Sequence, residues 1–182
     1  MKNFDRLVRW IEAANERIGQ IAGWLMFILV MMVTADVVSR YLFNTGWVAI
    51  QESEWWLFSI IFLMGAGYTY LHDGHVRVDI IYSRLSDKHK NYVDLGCSFI
   101  FLFPMCVLVI VTSYKFMISS WVVGEYSPDP GGLPAYYVLK AFIPLGFLFL
   151  ALQGAAEVYK IMKRISEEDS PEKANGKKGS KS

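Results

Sequence analysis

The chain has 182 residues, of which 54% are hydrophobic and 19% charged, with 12 Phe, 10 Tyr and 6 Trp. An average soluble domain carries about 25% charged and 45–50% apolar residues; here the apolar excess gathers in four blocks, and the charges gather in the tails and one connecting loop. That segregation points to a membrane protein, the net charge of +1 argues against a nucleic-acid binder, and the aromatic content excludes disorder over the whole length.

Residues 1–18 place Phe4, Leu7, Val8, Ile11 and Ile18 at helical spacing, with Arg6, Arg9, Glu16 and Arg17 between them. This pattern predicts an amphipathic helix over residues 1–20 lying on the cytoplasmic membrane surface; a plain cytoplasmic extension of the next helix is the alternative. The first span is predicted over Ile21–Phe43, since about 20 apolar residues cross the hydrocarbon. A charged stretch precedes it, and it ends in Asp36 and Arg40 instead of a small-residue cleavage site, so it reads as a retained span and not a signal peptide. The second span, Trp55–Leu71, is slightly short. The third runs from Tyr92 to about Trp121 and the fourth from Tyr136 to Tyr159, carrying Pro104 and Pro144, each expected to bend its helix. Cys97 and Cys106 lie too far apart along one helix for a disulfide and read as small core residues. Gly19 with Gly23, Gly65 with Gly67, and Gly146 with Gly154 would let helices approach, inside the bundle or on a partner. The turn-rich segment Gly124–Pro134 is predicted to be an outer loop, and the polar tail 166–182 to be disordered. The fold class is therefore an all-α membrane protein with four transmembrane helices over residues 21–165 and a preceding interfacial helix.

Of the 18 Lys and Arg residues, 15 fall in the N-terminal segment, the second loop and the C-terminal tail, whereas the first and third loops carry acids. The bias predicts that both termini are cytoplasmic. Arg40, Lys115 and Lys140 are the exceptions, near helix ends from which long side chains can reach the interface.

Charge inside a membrane is the usual functional flag. Asp36 and Arg40 are four apart and share a helix face; Glu52 and Glu54 return after a short hairpin and are in reach of Arg40. The arrangement predicts an ion-pair cluster holding the outer end of that hairpin, with Lys140 or a partner residue as a second cation; snorkelling of Arg40 to lipid phosphate is the alternative. The aromatics at the outer and inner ends read as interfacial belts. His72, His75 and His89 share one inner loop, so no pair of histidines from facing spans is available to haem. No nucleophile motif, phosphate-binding glycine loop or metal cluster is visible, and the chain is expected to be no enzyme and to carry no cofactor. Three functions remain open on these grounds: an accessory subunit of a transporter, the anchor of a membrane redox enzyme, or a small self-contained exporter.

Further motifs narrow the choice. Arg40-Tyr41-Leu42-Phe43-Asn44, then Trp47 and Gln51-Glu52-Ser53-Glu54 before Trp55 and Trp56, resembles the first hairpin of the small membrane subunit of tripartite ATP-independent periplasmic (TRAP) transporters. Gly65-Ala66-Gly67 and the run Gly74-His75-Val76-Arg77-Val78-Asp79 resemble that family's stretch after the second helix. The resemblance covers residues 20–160. It implies a subunit that braces a large membrane subunit during sodium-coupled uptake of an organic acid or similar solute delivered by a periplasmic binding protein. It also implies an inner-membrane location, with solute and sodium bound mainly by the large partner. Asp36, Arg40, Asn44, Glu52, Glu54, His75, Arg77 and Asp79 become candidate structural or subunit-interface residues. Gln51 and Ser53 stand where many members have adjacent glutamates, so either Glu52 or Glu54 is the counterpart. Val76, Val78 and Ile80 alternate with His75, Arg77 and Asp79, so that segment either lays its apolar side on the bundle or is a solvated loop.

Overall fold

The computed structural model describes residues 2–72 and 87–168, and every regular element in them is helical. Helix α1 spans Lys2–Phe43, α2 spans Val48–Leu71, and α4 spans Tyr136–Glu168. Helix α3 is composite: Asp87–Cys97 and Phe103–Val123 are joined by a π-helical turn over Ser98–Leu102. That turn stands directly before Pro104, which has no N–H to donate and whose ring crowds the preceding turn. The wider turn absorbs both defects. Pro144 lies inside α4.

The amphipathic segment is not a separate element. Residues 2–43 form one uninterrupted helix of 42 residues, about 63 Å long at 1.5 Å per residue, and no boundary falls near residue 20. Gly19 does not end the helix; it gives room to the ring of Tyr68, which a Cβ at Gly19 would overlap. Helix α1 instead ends at Asn44, whose φ of 52° places it in the left-handed region, a common way to stop a helix. The Ser39 and Thr45 hydroxyls share a hydrogen bond of 2.9 Å across this turn.

Among the described residues, three helices are long and apolar enough to cross a membrane: Phe4–Phe43, His89–Val123 and Tyr136–Ser166. Helix α2, with 24 residues, has the length. However, Gln51, Glu52 and Glu54 occupy its first turns, and Gly65, Gly67, Tyr68 and Tyr70 dilute its second half. At the other end of the chain α4 continues through Glu168, past the predicted start of the tail at Ser166; residues 169–182 lie outside the described residues.

The helices pack in the spatial order α1, α2, α4, α3. Between α1 and α2 the packing centres on Ala22, Leu29 and Ile61, with Leu25, Met32 and Leu57 against them. Helices α2 and α4 touch backbone to backbone at Gly146, where an added Cβ would lie 2.6 Å from the Leu63 carbonyl oxygen. Gly154 likewise admits the side chain of Leu102 from α3. In lipid, where apolar burial gives no net drive between helices, such close approach is the main source of packing energy. Gly23 and Gly65 face open space and take no part. Cys106 is buried and Cys97 exposed, and both are free thiols.

Candidate functional site

The polar groups gather at the two ends of this helix row. At the outer end, Glu52 in the first turns of α2 is almost fully withdrawn from solvent, with 3% of its surface exposed. It accepts hydrogen bonds from the Ser127 hydroxyl, the Leu133 backbone N–H and, at 3.0 Å, the Tyr136 hydroxyl. One carboxylate on α2 thus holds both limbs of the loop between α3 and α4. These bonds to the charged form keep the Glu52 carboxyl below the ordinary carboxylate range; the Leu133 N–H is the leading cause and Ser127 the next.

The loop is built to fit that acceptor. Gly124 (φ 61°) closes α3, and Gly131 (φ 82°) turns the chain. At Gly132, a Cβ would meet Ser127 Oγ and stand 2.7 Å from Glu52 Oε2. The Ser127 N–H bonds the Leu133 carbonyl at 3.1 Å, and the Tyr136 N–H bonds the Glu125 carbonyl at 3.2 Å. Ala135 is held at φ 65°, a conformation that a non-glycine residue adopts only when its surroundings enforce it. Beneath the loop, Tyr136 packs edge-on against Trp56, centroid to centroid at 5.3 Å, and against Trp55 at 5.9 Å. These aromatics join α2 to α4.

A second outer tie runs from the loop to α4. Lys140 is buried, donates to the Glu125 carboxylate, and stands 3.8 Å from the centre of the Phe116 ring on α3. The Lys140 ammonium holds the Glu125 carboxyl below its ordinary range. Lys140 is therefore committed to this loop and does not join the hairpin cluster as its second cation.

Within the hairpin, Arg40 donates to Asp36 one turn back, and Asp36 is buried while Arg40 is half-exposed. Glu54 lies near both, and its Oε1 is buried without a hydrogen-bond partner among the described residues. Glu52 points away from Arg40 to the loop. Arg40 thus closes onto its own helix and not across the hairpin, because an i,i+4 pair needs no chain reversal. Of the two acids that resemble the family's pair, the structure separates the roles: Glu52 binds the loop, and Glu54 stays with the Asp36–Arg40 cluster. Asn44 is exposed and serves as the turn residue that ends α1. His75, Arg77 and Asp79 lie outside the described residues.

At the inner end, the first half of α1 packs against α4 and α2. Asp5 accepts from Tyr159 at 3.1 Å and from Lys163 at 3.2 Å. Lys160 reaches Glu12 at 2.7 Å and Glu157 at 2.6 Å. Glu16 meets His72 at 2.7 Å, and His72 in turn leans on the ring of Tyr68 at 4.5 Å. Between these pairs, Asn15 and Gln153 are both 0% exposed, and Asn15 Nδ2 donates to Gln153 Oε1 at 2.9 Å and to the Ile11 carbonyl at 3.2 Å. Asn15 Oδ1 and Gln153 Nε2 are buried with no hydrogen-bond partner among the described residues. Gly67 makes the space, since a Cβ there would strike Asn15 Oδ1. Sequence reasoning missed this pair; its signal was an isolated amide on each of two otherwise apolar helix faces. Among the described residues, no three His, Cys, Asp or Glu side chains stand together in a way that could hold a metal ion.

Residues 29–164 match the family model described as "Tripartite ATP-independent periplasmic transporters, DctQ component". The match begins within α1 and ends within α4, so it takes in the Glu52 loop and the hairpin cluster but only the α2 and α4 side of the other end; Asp5, Glu12, Asn15 and Glu16 precede it. No curated protein matches the chain.

Proposed function

We propose, from the premise that this chain belongs to the DctQ component family of the tripartite ATP-independent periplasmic transporters, that it braces a large membrane subunit as that subunit takes up solute. The chain is a small membrane subunit of a transporter and not an enzyme, and it is a multi-pass inner-membrane protein. In this reading α2 is the fourth span, entering the bilayer at Trp55 with Glu52 left in the interface. Both termini are cytoplasmic, following the Lys/Arg bias. A periplasmic binding protein delivers an organic acid or similar solute, and the large subunit binds that solute together with sodium. No cofactor belongs to this chain.

The observation that carries the proposal is where the buried polar groups lie. The buried charged and amide groups lie toward the two ends, Asp36, Glu52 and Lys140 at one and Asn15 and Gln153 at the other, while Leu29, Ile61, Cys106 and Leu150 lie between them together with Ser113, whose hydroxyl is bonded to its own helix at Val109. Glu52, Lys140, Asn15 and Gln153 are engaged in joining helices or the loop, and Asp36 is held by Arg40 on its own helix. That pattern suits a rigid brace more than a conduit, which would line its path with exchangeable polar groups. Reconstitution into proteoliposomes tests the proposal. Sodium-dependent uptake is expected only when this chain, the large subunit and the binding protein are all present; uptake by this chain alone would overturn it.

A further inference from the structure

The first half of α1 sorts its charges by sign. Its three acids are spent inward: Asp5 on Tyr159 and Lys163, Glu12 on Lys160, and Glu16 on His72. Its arginines are turned to the outside, with Arg9 close enough to Asp5, one turn back, to attract it through space. Arg6, Arg9 and Arg17 are exposed and make no ion pair or hydrogen bond among the described residues. With Trp10, Ala13, Gln20 and Trp24, which are also exposed, they form one continuous stripe at helical spacing. Trp10 and Trp24 are 71% and 72% exposed, and Leu7 beside them is 55% exposed. An exposed face that alternates guanidinium groups with large aromatic and aliphatic side chains fits a ligand with an anionic head on an apolar body.

We propose that the outward face of α1 binds the phosphate headgroups of anionic phospholipids in the leaflet at which α1 begins, Arg17 and Trp24 making the contact and Arg9 and Arg6 adding attraction at longer range. The depth agrees. Counted back from Arg40, about 30 Å of hydrocarbon ends around residue 20. Trp24 then lies at the hydrocarbon edge, the usual place for an interfacial indole, and Arg17 stands in the headgroup layer. Arg9 and Arg6 lie about 16 and 21 Å beyond the hydrocarbon edge on a straight helix, past the headgroup layer, and act on an anionic surface only through its screened field, Arg6 the more weakly. The Arg17 guanidinium can hold one phosphate through two donors, and Trp24 packs on the upper acyl chain below it. The inference rests on α1 alone and does not depend on the transport reading or on which side of the membrane this end faces.

The test is lipid selectivity of the full chain. Wild type and the triple variant Arg6→Gln, Arg9→Gln, Arg17→Gln are placed in nanodiscs of equal phosphatidylglycerol and phosphatidylcholine, and the lipids retained on release are counted by native mass spectrometry. A thermal melt checks that the triple variant stays folded. Wild type should retain phosphatidylglycerol several-fold over phosphatidylcholine, with the preference shrinking as salt rises, and the triple variant should fall to the bulk ratio. Lys115→Gln, at an exposed cation on α3 towards the opposite end, should keep the wild-type preference. Equal preference in wild type and triple variant would overturn the proposal. So would loss of the preference in inorganic phosphate beyond that in chloride of equal ionic strength, which would mark a site for soluble anions. A preference present in the chain alone but absent when the large subunit is co-purified would instead make this stripe a subunit interface, and would also overturn it.

Discussion

At the outer end of the helix row, Glu52 is sunk beneath a loop and takes two hydrogen bonds from it and a third from Tyr136 at the start of α4. At the inner end, Asp5, Glu12 and Glu16 stay partly open to solvent and meet cations or a histidine across helix pairs. The residue type is the same and the physics differs. A buried carboxylate is the centre on which several donors depend, and taking it away strands all of them. A partly exposed ion pair exchanges one hydrated state for another and contributes little net energy. The outer end should therefore behave as one cooperative unit and the inner end as a set of small, nearly independent contacts around one buried amide pair.

The sharpest way to break this comparison is Glu52→Ala. It removes the acceptor for Ser127, Leu133 and Tyr136 together, so it should give the largest fall in thermal midpoint of the substitutions considered and open the segment 124–135 to limited proteolysis. Glu52→Gln should open the loop less, because the amide oxygen can still accept. The pH dependence has a definite sign. The folded carboxyl lies below its unfolded value, so its contribution is fully present above the ordinary carboxylate range and is lost as pH falls through the folded value. Protection of the loop should hold at neutral pH and weaken on strong acidification in wild type, and this acid-dependent step should be missing in Glu52→Gln. A loop as protected in Glu52→Ala as in wild type would show that the carboxylate does not hold it.

Between the two ends, Gly146→Ala should cost about 1–3 kcal/mol, because its Cβ would meet the Leu63 carbonyl, a backbone atom that cannot swing away. The same change at Gly65, whose Cβ would enter open space, should be tolerated. Differential scanning fluorimetry of the two purified variants in detergent measures the contrast. Equal midpoints would mean that α2 and α4 separate easily, and the row would then not be rigid.

At the inner end the larger effect belongs to the amide pair. Asn15→Leu strands the Gln153 oxygen in a buried site and should cost about 1–3 kcal/mol. Adding Gln153→Leu removes the stranded group, so the double variant should lose less than the sum of the two single changes. Strict additivity would show that the two amides do not act as a pair.

Which of these features could be read from sequence follows from the range of the interaction. The Asp36–Arg40 pair was legible because four residues on a helix bring two side chains together whatever the rest of the fold does. Asn44 could be singled out from its motif, though not its role as the left-handed stop of α1. The partners of Glu52 were not legible: they lie 75 to 84 positions away, and only the packing of α2 on α4 brings them under one carboxylate. The continuity of the first 20 residues with the first span was not legible for another reason. An amphipathic period shows that one helix face needs a partner and does not say whether that partner is lipid or protein. Here Val8 and Asn15 are buried within the fold while Trp10 is left outside, so the segment uses both of its faces. The short apolar run of α2 was legible, and its cause was composition more than length.

The smallest expected effect is the most telling for the inner end. Lys160 sits between two carboxylates, Glu12 on α1 and Glu157 one turn back on its own helix. Glu12→Gln removes the interhelical partner and leaves Glu157 in place, so the ammonium is never stranded. The loss should be about 0.5 kcal/mol or less, the ordinary range for a partly exposed pair, and should vanish at high salt, where such charges are screened. Glu157→Gln should behave alike, whereas removing both acids should cost more than the sum, because Lys160 would then keep its charge without a carboxylate beside it. If Glu12→Gln alone lowers the thermal midpoint as far as Glu52→Ala does, the inner end is as cooperative as the outer one, and the first half of α1 is held to α4 by its charges and not by the Asn15–Gln153 pair.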